Sequence, residues 1–257
     1  MVIHMLERIG RSVIVMLENG GRVIKLFLDT VGHLRRKPNG HHVLQQMVHL
    51  GVNSLPIVML TMLFTGMVLT IQTAHEFIRY GAQSSVGGIV FIAMGRELAP
   101  VLTGVVVAGR VGAAITAEIG SMKVTEQIDA LKVMATDPVA YLVVPRLLSC
   151  MFMLPVLGIF AIVIGTVGGY LVASTYSGIS SFSYFHSIKT YAVVMDVLGG
   201  LIKTIFFGAI VAIIGCHKGL TTAQGAEGVG RATTGSVVAS MILIFISNYF
   251  LSVLLYR

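Results

Sequence analysis

Two neighbouring residues of opposite charge, Arg96 and Glu97, stand inside a long apolar stretch of this sequence. A charged side chain at the centre of a bilayer costs roughly 2.5–3.5 kcal/mol on insertion scales, so such residues usually face a partner helix or a water-filled cavity. Adjacent residues of a helix point about 100° apart, so one can face a partner while the other faces a cavity. The pair can therefore line a site for a charged group or form a structural ion pair, and the sequence leaves both open.

Two further basic residues, Arg110 and Lys203, also lie in apolar stretches. Arg110 stands near one end of its stretch, from which a long side chain can reach the membrane surface. Lys203 can do the same unless it pairs with Asp196.

Residues for catalysis or metal binding follow no recognised pattern. The sequence has neither G-x-S-x-G nor H-E-x-x-H, its eight His are scattered, and Cys150 and Cys216 offer no metal-binding spacing. It also lacks the G-x-x-x-x-G-K-[ST] loop that holds ATP phosphates. We therefore expect no catalytic residue, metal site or cofactor in this chain, and any ATP hydrolysis that drives it must occur on another chain.

The elements that carry these residues are predicted to be membrane-spanning helices. Of the 257 residues, 55% are hydrophobic and 11% are charged, with a mean hydropathy of +0.88, whereas a soluble domain is about 25% charged. A bilayer core of about 30 Å needs about 20 helical residues. Five apolar runs are long enough: Val52–Ile71, Val86–Ala117, Leu142–Ala173, Val193–Gly215 and Ser236–Tyr256. We predict an all-α polytopic membrane protein, a single domain over residues 1–257 with a five-span core at 52–256.

The second and third runs hold 32 residues each and are longer than a bilayer is thick, so each is expected to kink, tilt or protrude. Pro100, Pro145 and Pro155 are candidate break points there. Small residues also recur every four positions in the second run, which permits close helix packing within the chain or across a dimer. They are Gly104, Ala108, Gly112 and Thr116.

The N-terminal region, residues 1–40, is predicted to form an amphipathic helix in the membrane interface. Its apolar face is formed by Met5, Leu6, Ile9, Val13 and Met16, and its polar face by Glu7, Arg8, Arg11, Glu18 and Arg22. The sequence Arg35-Arg36-Lys37-Pro38 should end the helix. The alternative is a solvated basic leader that only sets the topology.

The distribution of basic residues predicts the orientation, because Lys and Arg are retained on the cytoplasmic side. The N-terminal segment and the second and fourth connections hold twelve of the 18 Lys and Arg, against three on the other side. The N-terminus is therefore expected in the cytoplasm and the C-terminus outside.

The second connection, residues 118–138, is predicted to contain a short amphipathic helix on the cytoplasmic side. Thr125 can cap its start, and Asp137 with Pro138 can end it. Ile128, Leu131 and Met134 would share one face of the helix. Such a helix suits the docking of a partner, although a plain interfacial helix fits the periodicity equally well.

Several motifs, most of them between Arg96 and Pro138, resemble the MlaE-type permeases, a family that includes the chloroplast TGD permease. The matching segments are Arg96-Glu-Leu-Ala-Pro100, Ala108-Gly-Arg-Val-Gly-Ala-Ala, Thr116-Ala-Glu-Ile-Gly120, Thr125-Glu-Gln127, Asp137-Pro138 and Gly230-Arg-Ala-Thr-Thr234. These permeases are the membrane subunits of ABC systems that move phospholipids. The likeness covers nearly the whole chain.

The resemblance implies a homodimer in the inner membrane, or in the inner envelope of an organelle if the protein is plastid-derived. It implies two partners besides phospholipid and no nucleic acid: a cytoplasmic ATPase that holds ATP and Mg, and a periplasmic hexamer of MCE-domain subunits. The short helix of the second connection would be the coupling helix. Its ATPase-coupling residues would be Glu126, Gln127, Ile128, Asp129 and Leu131.

The resemblance also implies a lipid cavity between the two permease subunits, near the outer leaflet. Its lining residues would be Leu69, Phe77, Tyr80, Arg96, Glu97 and Leu98. The alternative function is an ion-coupled secondary transporter or channel for an amphiphile, in which Arg96 and Glu97 would couple an ion. Inverted repeats are usual in such transporters, and five unequal spans do not divide that way.

Overall fold

The computed structural model describes residues 2–34 and 40–256, with the backbone alone for residues 2–13, 15 and 16. The helix break predicted at Arg35-Arg36-Lys37-Pro38 lies outside the described residues. Over the described ranges the chain is helical and contains no strand. Its helical elements are α1 (Val2–His33), α2 (Gly40–Arg79), α3 (Gln83–Val124), α4 (Gln127–Val133), α5 (Val139–Thr175), α6 (Ser181–Tyr191), α7 (Val194–Leu220) and α8 (Gly225–Leu255).

The five predicted spans are confirmed as α2, α3, α5, α7 and α8, each of which is long and apolar enough to cross a membrane. Most of these helices extend well beyond the apolar run from which they were predicted. Polar residues continue a helix past the hydrocarbon core, so hydropathy marks only its central part. The α-helical N-terminal segment is also confirmed as α1.

Two of the three predicted proline break points coincide with irregular helix. Pro100 follows a π turn at Met94–Leu98, and Pro145 follows a π turn at Val139–Val143. The prediction for Pro155 is wrong, because Val144–Thr175 continues as α-helix through it. Proline lacks only one backbone donor, and neighbouring helices in a membrane bundle compensate for such a loss. A third π turn, Ala108–Gly112, lies further along α3.

Close contacts between glycine backbones hold α2 against α5. A Cβ on Gly66 would overlap the carbonyl group of Gly165, and a Cβ on Gly168 would overlap the carbonyl oxygen of Leu63. The helix axes can approach this closely only because these positions lack side chains. The small residues of α3 make a similar contact with α7 within the chain. Thr116 Oγ1 lies 2.8 Å from the Gly112 carbonyl oxygen and 3.1 Å from that of Gly215.

The two ends of the helix bundle carry different short elements. At one end, here called the α4 end, α4 joins α3 to α5, and His33 of α1 lies 2.9 Å from Asp137. At the other, here called the α6 end, α6 joins α5 to α7. The sequence did not predict α6, because its eleven residues include no long apolar run.

Candidate functional site: a charge cluster between three spans

Arg96 and Glu97 lie in the π turn Met94–Leu98 of α3, which is in close backbone contact with α7. A Cβ on Gly200 of α7 would overlap the carbonyl oxygen of Gly95. A π turn adds one residue to a helical turn and so changes the direction in which successive side chains leave the helix. Both charged side chains therefore reach neighbouring helices.

Arg96 pairs with a buried carboxylate on α7. Its Nε lies 2.6 Å from Oδ1 of Asp196. The other carboxylate oxygen, Oδ2, accepts a hydrogen bond of 2.8 Å from the backbone N–H of Val193 and so caps the first turn of α7. Asp196 thus holds the guanidinium in place and also satisfies a free donor at the start of its helix.

Glu97 pairs with Lys203, which is fully buried. Lys203 Nζ lies 2.8 Å from Glu97 Oε1, 2.8 Å from the carbonyl oxygen of Arg96 and 2.7 Å from Ser252 Oγ. The three donors of the ammonium therefore all have acceptors. Asn248 of α8 donates to Glu97 Oε2 at 2.9 Å, and Ser252 Oγ lies 2.8 Å from Oε1.

Tyr256, which follows α8, covers both cations. Its ring centroid lies 4.9 Å from Arg96 Cζ and 5.0 Å from Lys203 Nζ, within the range of cation–π attraction. The ring fits because Gly199 has no side chain: a Cβ there would lie 2.5 Å from the tyrosine hydroxyl oxygen.

The sequence left two roles open for Arg96 and Glu97, a site for a charged group and a structural ion pair, and the observed pairing bears on both. Each residue pairs across to α7 with a partner of opposite charge, and Lys203 pairs with Glu97 instead of Asp196. The four side chains carry two positive and two negative charges, so the cluster is neutral as a whole. Yet the Arg96 and Glu97 side chains are 39% and 41% exposed, while Asp196 and Lys203 are buried. The cluster is therefore structural on its α7 side and accessible on the other.

Two of the predicted lipid-contacting residues share an open groove. Leu69 and Leu98 line it, and its volume is about 380 Å³. Its other lining residues are Phe64, Thr65, Val68 and Gln72. Phe77 and Tyr80 lie outside this groove: Phe77 packs against the apolar core, and Tyr80 is 79% exposed just after α2. The structure thus brings Leu69 and Leu98 together. Arg96 and Glu97 instead contact α7 and α8, and Phe77 and Tyr80 lie outside the groove.

Sequence reasoning missed three members of the cluster, Asn248, Ser252 and Tyr256. They recur at intervals of four residues, which places them on one face of a helix. Polar residues in register along an apolar span were the signal that could have identified them.

The short helix predicted in the second connection exists as α4, but its limits differ from the prediction. Thr125 does not cap it, because the Thr125 hydroxyl bonds the Ser121 carbonyl at the end of α3. Glu126 precedes the helix with a positive φ of 60°. The helix ends at Val133, four residues before Asp137. Ala135, which lies between them, also has a positive φ. Asp137 instead accepts a bond from the Val139 N–H at the start of α5.

The predicted coupling residues differ in exposure. Ile128 is buried and Leu131 partly buried against the core, so both anchor α4 to the bundle. Met134, predicted on the same face, lies past the helix end and is exposed. Glu126 and Gln127 are exposed at the surface of α4. Hydrogen bonds from Lys132 at 2.7 Å and Lys123 at 3.2 Å hold the pKa of Asp129 below its usual value.

A second set of ion pairs joins the helices at the α4 end. Arg146, nearly buried in α5, bonds Glu118 of α3 at 2.9 Å, and His49 of α2 lies 3.7 Å from the same carboxylate. Arg110 is exposed and donates a 2.5 Å hydrogen bond to Ser54. Among the described residues no group of three or more His, Cys, Asp or Glu is placed to hold a metal ion.

The sequence is similar to several known permeases. A sequence model of the family described as Permease MlaE matches residues 43–254. A probable ABC transporter permease protein of Synechocystis sp. is 48% identical over 224 residues, which cover 87% of this chain and 85% of that protein. A probable ABC transporter permease protein of Rickettsia bellii is 41% identical over 258 residues, which cover 100% of this chain and 100% of that protein. Protein TRIGALACTOSYLDIACYLGLYCEROL 1, chloroplastic, of Arabidopsis thaliana is 41% identical over 219 residues, which cover 85% of this chain and 63% of that protein.

Proposed function

Because the chain belongs to the MlaE family of ABC transporter permeases, we propose that it moves phospholipids between membranes as the membrane subunit of such a transporter. The observation that carries this proposal is the half-exposed pair Arg96 and Glu97, which shares a π turn with Leu98, a residue that lines an open groove together with Leu69. Exposed charges and a groove-lining leucine on the same helical turn suit a molecule with a charged head and apolar tails. The Arabidopsis relative is itself named after a glycerolipid.

Arg96 would contact the headgroup. Asp196 engages the Nε–H of its guanidinium, and among the described residues no acceptor bonds the two terminal NH2 groups. Those groups can donate to two phosphate oxygens, a geometry that suits guanidinium. Glu97 would orient polar groups at the same opening, and the acyl chains would lie along Leu69 and Leu98. Phe77 and Tyr80 would contribute only where a second copy or a further subunit completes the cavity.

The transporter would be a homodimer, with the lipid between the two copies and the whole described chain acting as one permease domain. α8 supports a contact of this kind, because a broad apolar face of this helix is exposed. An MCE-domain hexamer would cover the α6 end, and the lipid would pass between it and the cavity.

ATP hydrolysis would occur on a separate cytoplasmic subunit that holds ATP and Mg. We assign its docking site to α4 and the residue before it, because Ile128 anchors α4, Glu126 and Gln127 are exposed, and the Asp129 side chain is 49% exposed. The α4 end would then face the cytoplasm, in agreement with its excess of basic residues. The membrane would be the inner membrane of the cell or the inner envelope of an organelle.

The test is to purify the tagged chain from its native membrane and identify co-purifying subunits and retained lipids by mass spectrometry. The proposal expects an ATPase in fixed ratio and phospholipid that is lost in Arg96→Ala. Arg79→Ala is the matched control, because Arg79 lies at the same end but outside the cluster and should leave the bound lipid unchanged. Absence of an ATPase, or equal lipid retention in both variants, would contradict it.

An ion-coupled transporter is the second candidate, and the ion pair between the partly exposed Glu97 and the buried Lys203 favours it, since intramembrane acid–base pairs serve as proton relays. Lipid-transfer assays in reconstituted vesicles distinguish the ATP-driven candidate from the ion-coupled one. Lipid transfer that follows an imposed proton gradient without ATP would support the second candidate, whereas transfer that requires the ATPase and ATP supports the first.

A further inference from the structure

α6 is rigidly fixed to the membrane-spanning helices. Its Tyr184 is fully buried and donates a hydrogen bond of 3.2 Å to the carbonyl oxygen of Thr166 in α5. Ser187 Oγ accepts a bond of 2.9 Å from the N–H of Gly88 in α3. A Cβ on Gly87 would overlap the carbonyl oxygen of Tyr184, so the two backbones are in direct contact. The direction of the outer face of α6 is therefore set by the bundle.

α6 lies beside the last turns of α5 and not beyond its end. From Thr166, which bonds Tyr184, α5 continues to Thr175, about 13 Å at 1.5 Å per residue. The ring of Tyr170 contacts the ring of Phe185 in α6 at a tilt of 41°, with 5.0 Å between the centroids. Over the same turns α5 exposes apolar side chains such as Leu171. α6 is therefore level with side chains that suit acyl chains.

The outer face of α6 combines aromatic and basic residues. Phe182 is 80% and Phe185 51% exposed. His186 and Lys189 are exposed on the same helix face, at spacings of four and seven residues from Phe182. Ser181–Tyr191 contains no acidic residue. Two exposed Phe are costly in water, and a Lys beside them complements lipid phosphate groups.

We propose that α6 lies in the boundary between lipid headgroups and acyl chains and anchors the α6 end of the bundle to the bilayer. Phe182 and Phe185 insert between the outermost acyl segments, and Lys189 faces the phosphates. Aromatic side chains are enriched at this depth in membrane proteins. Because α6 contacts the start of α3, the anchor also fixes the depth of the π turn Met94–Leu98 in the membrane.

The absence of tryptophan from the chain allows a direct test. Phe182→Trp gives a chain with a single tryptophan, and Phe160→Trp, on the exposed face of α5, is the matched deep control. The full chain is reconstituted in vesicles of phosphatidylcholine brominated at either shallow or deep acyl positions. We expect shallow bromines to quench Phe182→Trp severalfold more than deep ones do, and the reverse order for Phe160→Trp.

Three results would overturn the proposal. Quenching of Phe182→Trp by acrylamide and not by brominated lipid would place α6 in water. Quenching that matches Phe160→Trp would place it deep in the hydrocarbon. Protection from both quenchers would mean that a second copy of the chain covers α6. Phe185→Trp provides an independent measurement if Phe182→Trp does not fold, with folding judged by monodisperse elution in detergent.

Discussion

Glu97 and Lys203 form an ion pair 2.8 Å long between α3 and α7, and the lysine is completely buried while the glutamate is two-fifths exposed. Removing one charge leaves the other without compensation in a poorly solvated position, whereas removing both does not. The pair therefore links the stability of the bundle to the Glu97 carboxylate, whose face away from Lys203 remains accessible.

Lys203→Met should lower the yield and thermal stability of the purified chain. Breaking a buried ion pair costs about 3–5 kcal/mol, and less here because Glu97 is partly exposed. Adding Glu97→Gln should restore much of the loss, since Asn248 and Ser252 can still bond a neutral amide. Melting curves of the single and double variants in detergent check this. Equal stability of Lys203→Met and the wild type would contradict it.

Arg96 is predicted to contribute more to lipid binding than to folding. Arg96→Asp combined with Asp196→Arg exchanges the two charges, so it should recover folded protein relative to either single reversal, although an arginine cannot accept the bond that the Val193 N–H donates to Asp196. Bound phospholipid should stay several-fold below wild type, because the exposed guanidinium is then missing from α3. Lipid mass spectrometry at matched protein amounts measures this. Full recovery of bound lipid would assign Arg96 a structural role only.

The five spans could be predicted because hydropathy over about 20 residues depends on composition alone. The cluster could be predicted only in part. Arg96 and Glu97 stand out in sequence, but the pairing of Glu97 with Lys203, 106 positions away, depends on how α3 and α7 pack. The backbone of Glu126 could not be predicted either. Its positive φ is uncommon for a residue other than Gly and is set by the surrounding structure.

Gly112→Leu should destabilise the chain itself rather than a dimer. Gly112 of α3 faces Val211 of α7, with 3.4 Å from an added Cβ to Val211 Cγ1, so a larger side chain would overpack the contact. Overpacking typically costs about 1–3 kcal/mol. Gly109→Leu is the control in the same π turn, because a Cβ there meets only the flexible end of Met241 at 3.9 Å. Thermal unfolding that is equally affected in both variants would contradict the prediction.

Charge reversal on α4 is predicted to release the ATPase. Glu126→Lys with Asp129→Lys should reduce co-purification several-fold, while Glu227→Lys, at an exposed acid of α8 on the same end, should not. The bonds from Lys132 and Lys123 lower the pKa of Asp129 in the folded chain. They therefore stabilise α4 fully at any pH above the unfolded pKa of about 3.9. They are lost only as the pH falls through the lower, folded value. Undiminished co-purification in the double variant would contradict the docking site.

Tyr256 should hold Arg96 and Lys203 through its ring. Tyr256→Phe keeps the ring over both cations and removes only a 3.5 Å contact from the hydroxyl to the Asp196 carbonyl oxygen, so it should behave as wild type. Tyr256→Leu keeps an apolar side chain but removes the π face. An exposed cation–π contact contributes about 0.5–1 kcal/mol, and about 2 kcal/mol when desolvated.

The two variants distinguish positioning from simple packing. If the ring positions the cations, Tyr256→Leu should retain folded yield but bind several-fold less phospholipid, because Arg96 then samples several rotamers, whereas Tyr256→Phe should bind as wild type. If Tyr256 only fills space against Gly199, both variants should bind lipid alike and differ in melting temperature alone. Lipid retained per folded chain, measured beside melting temperature in the same preparations, decides between these outcomes.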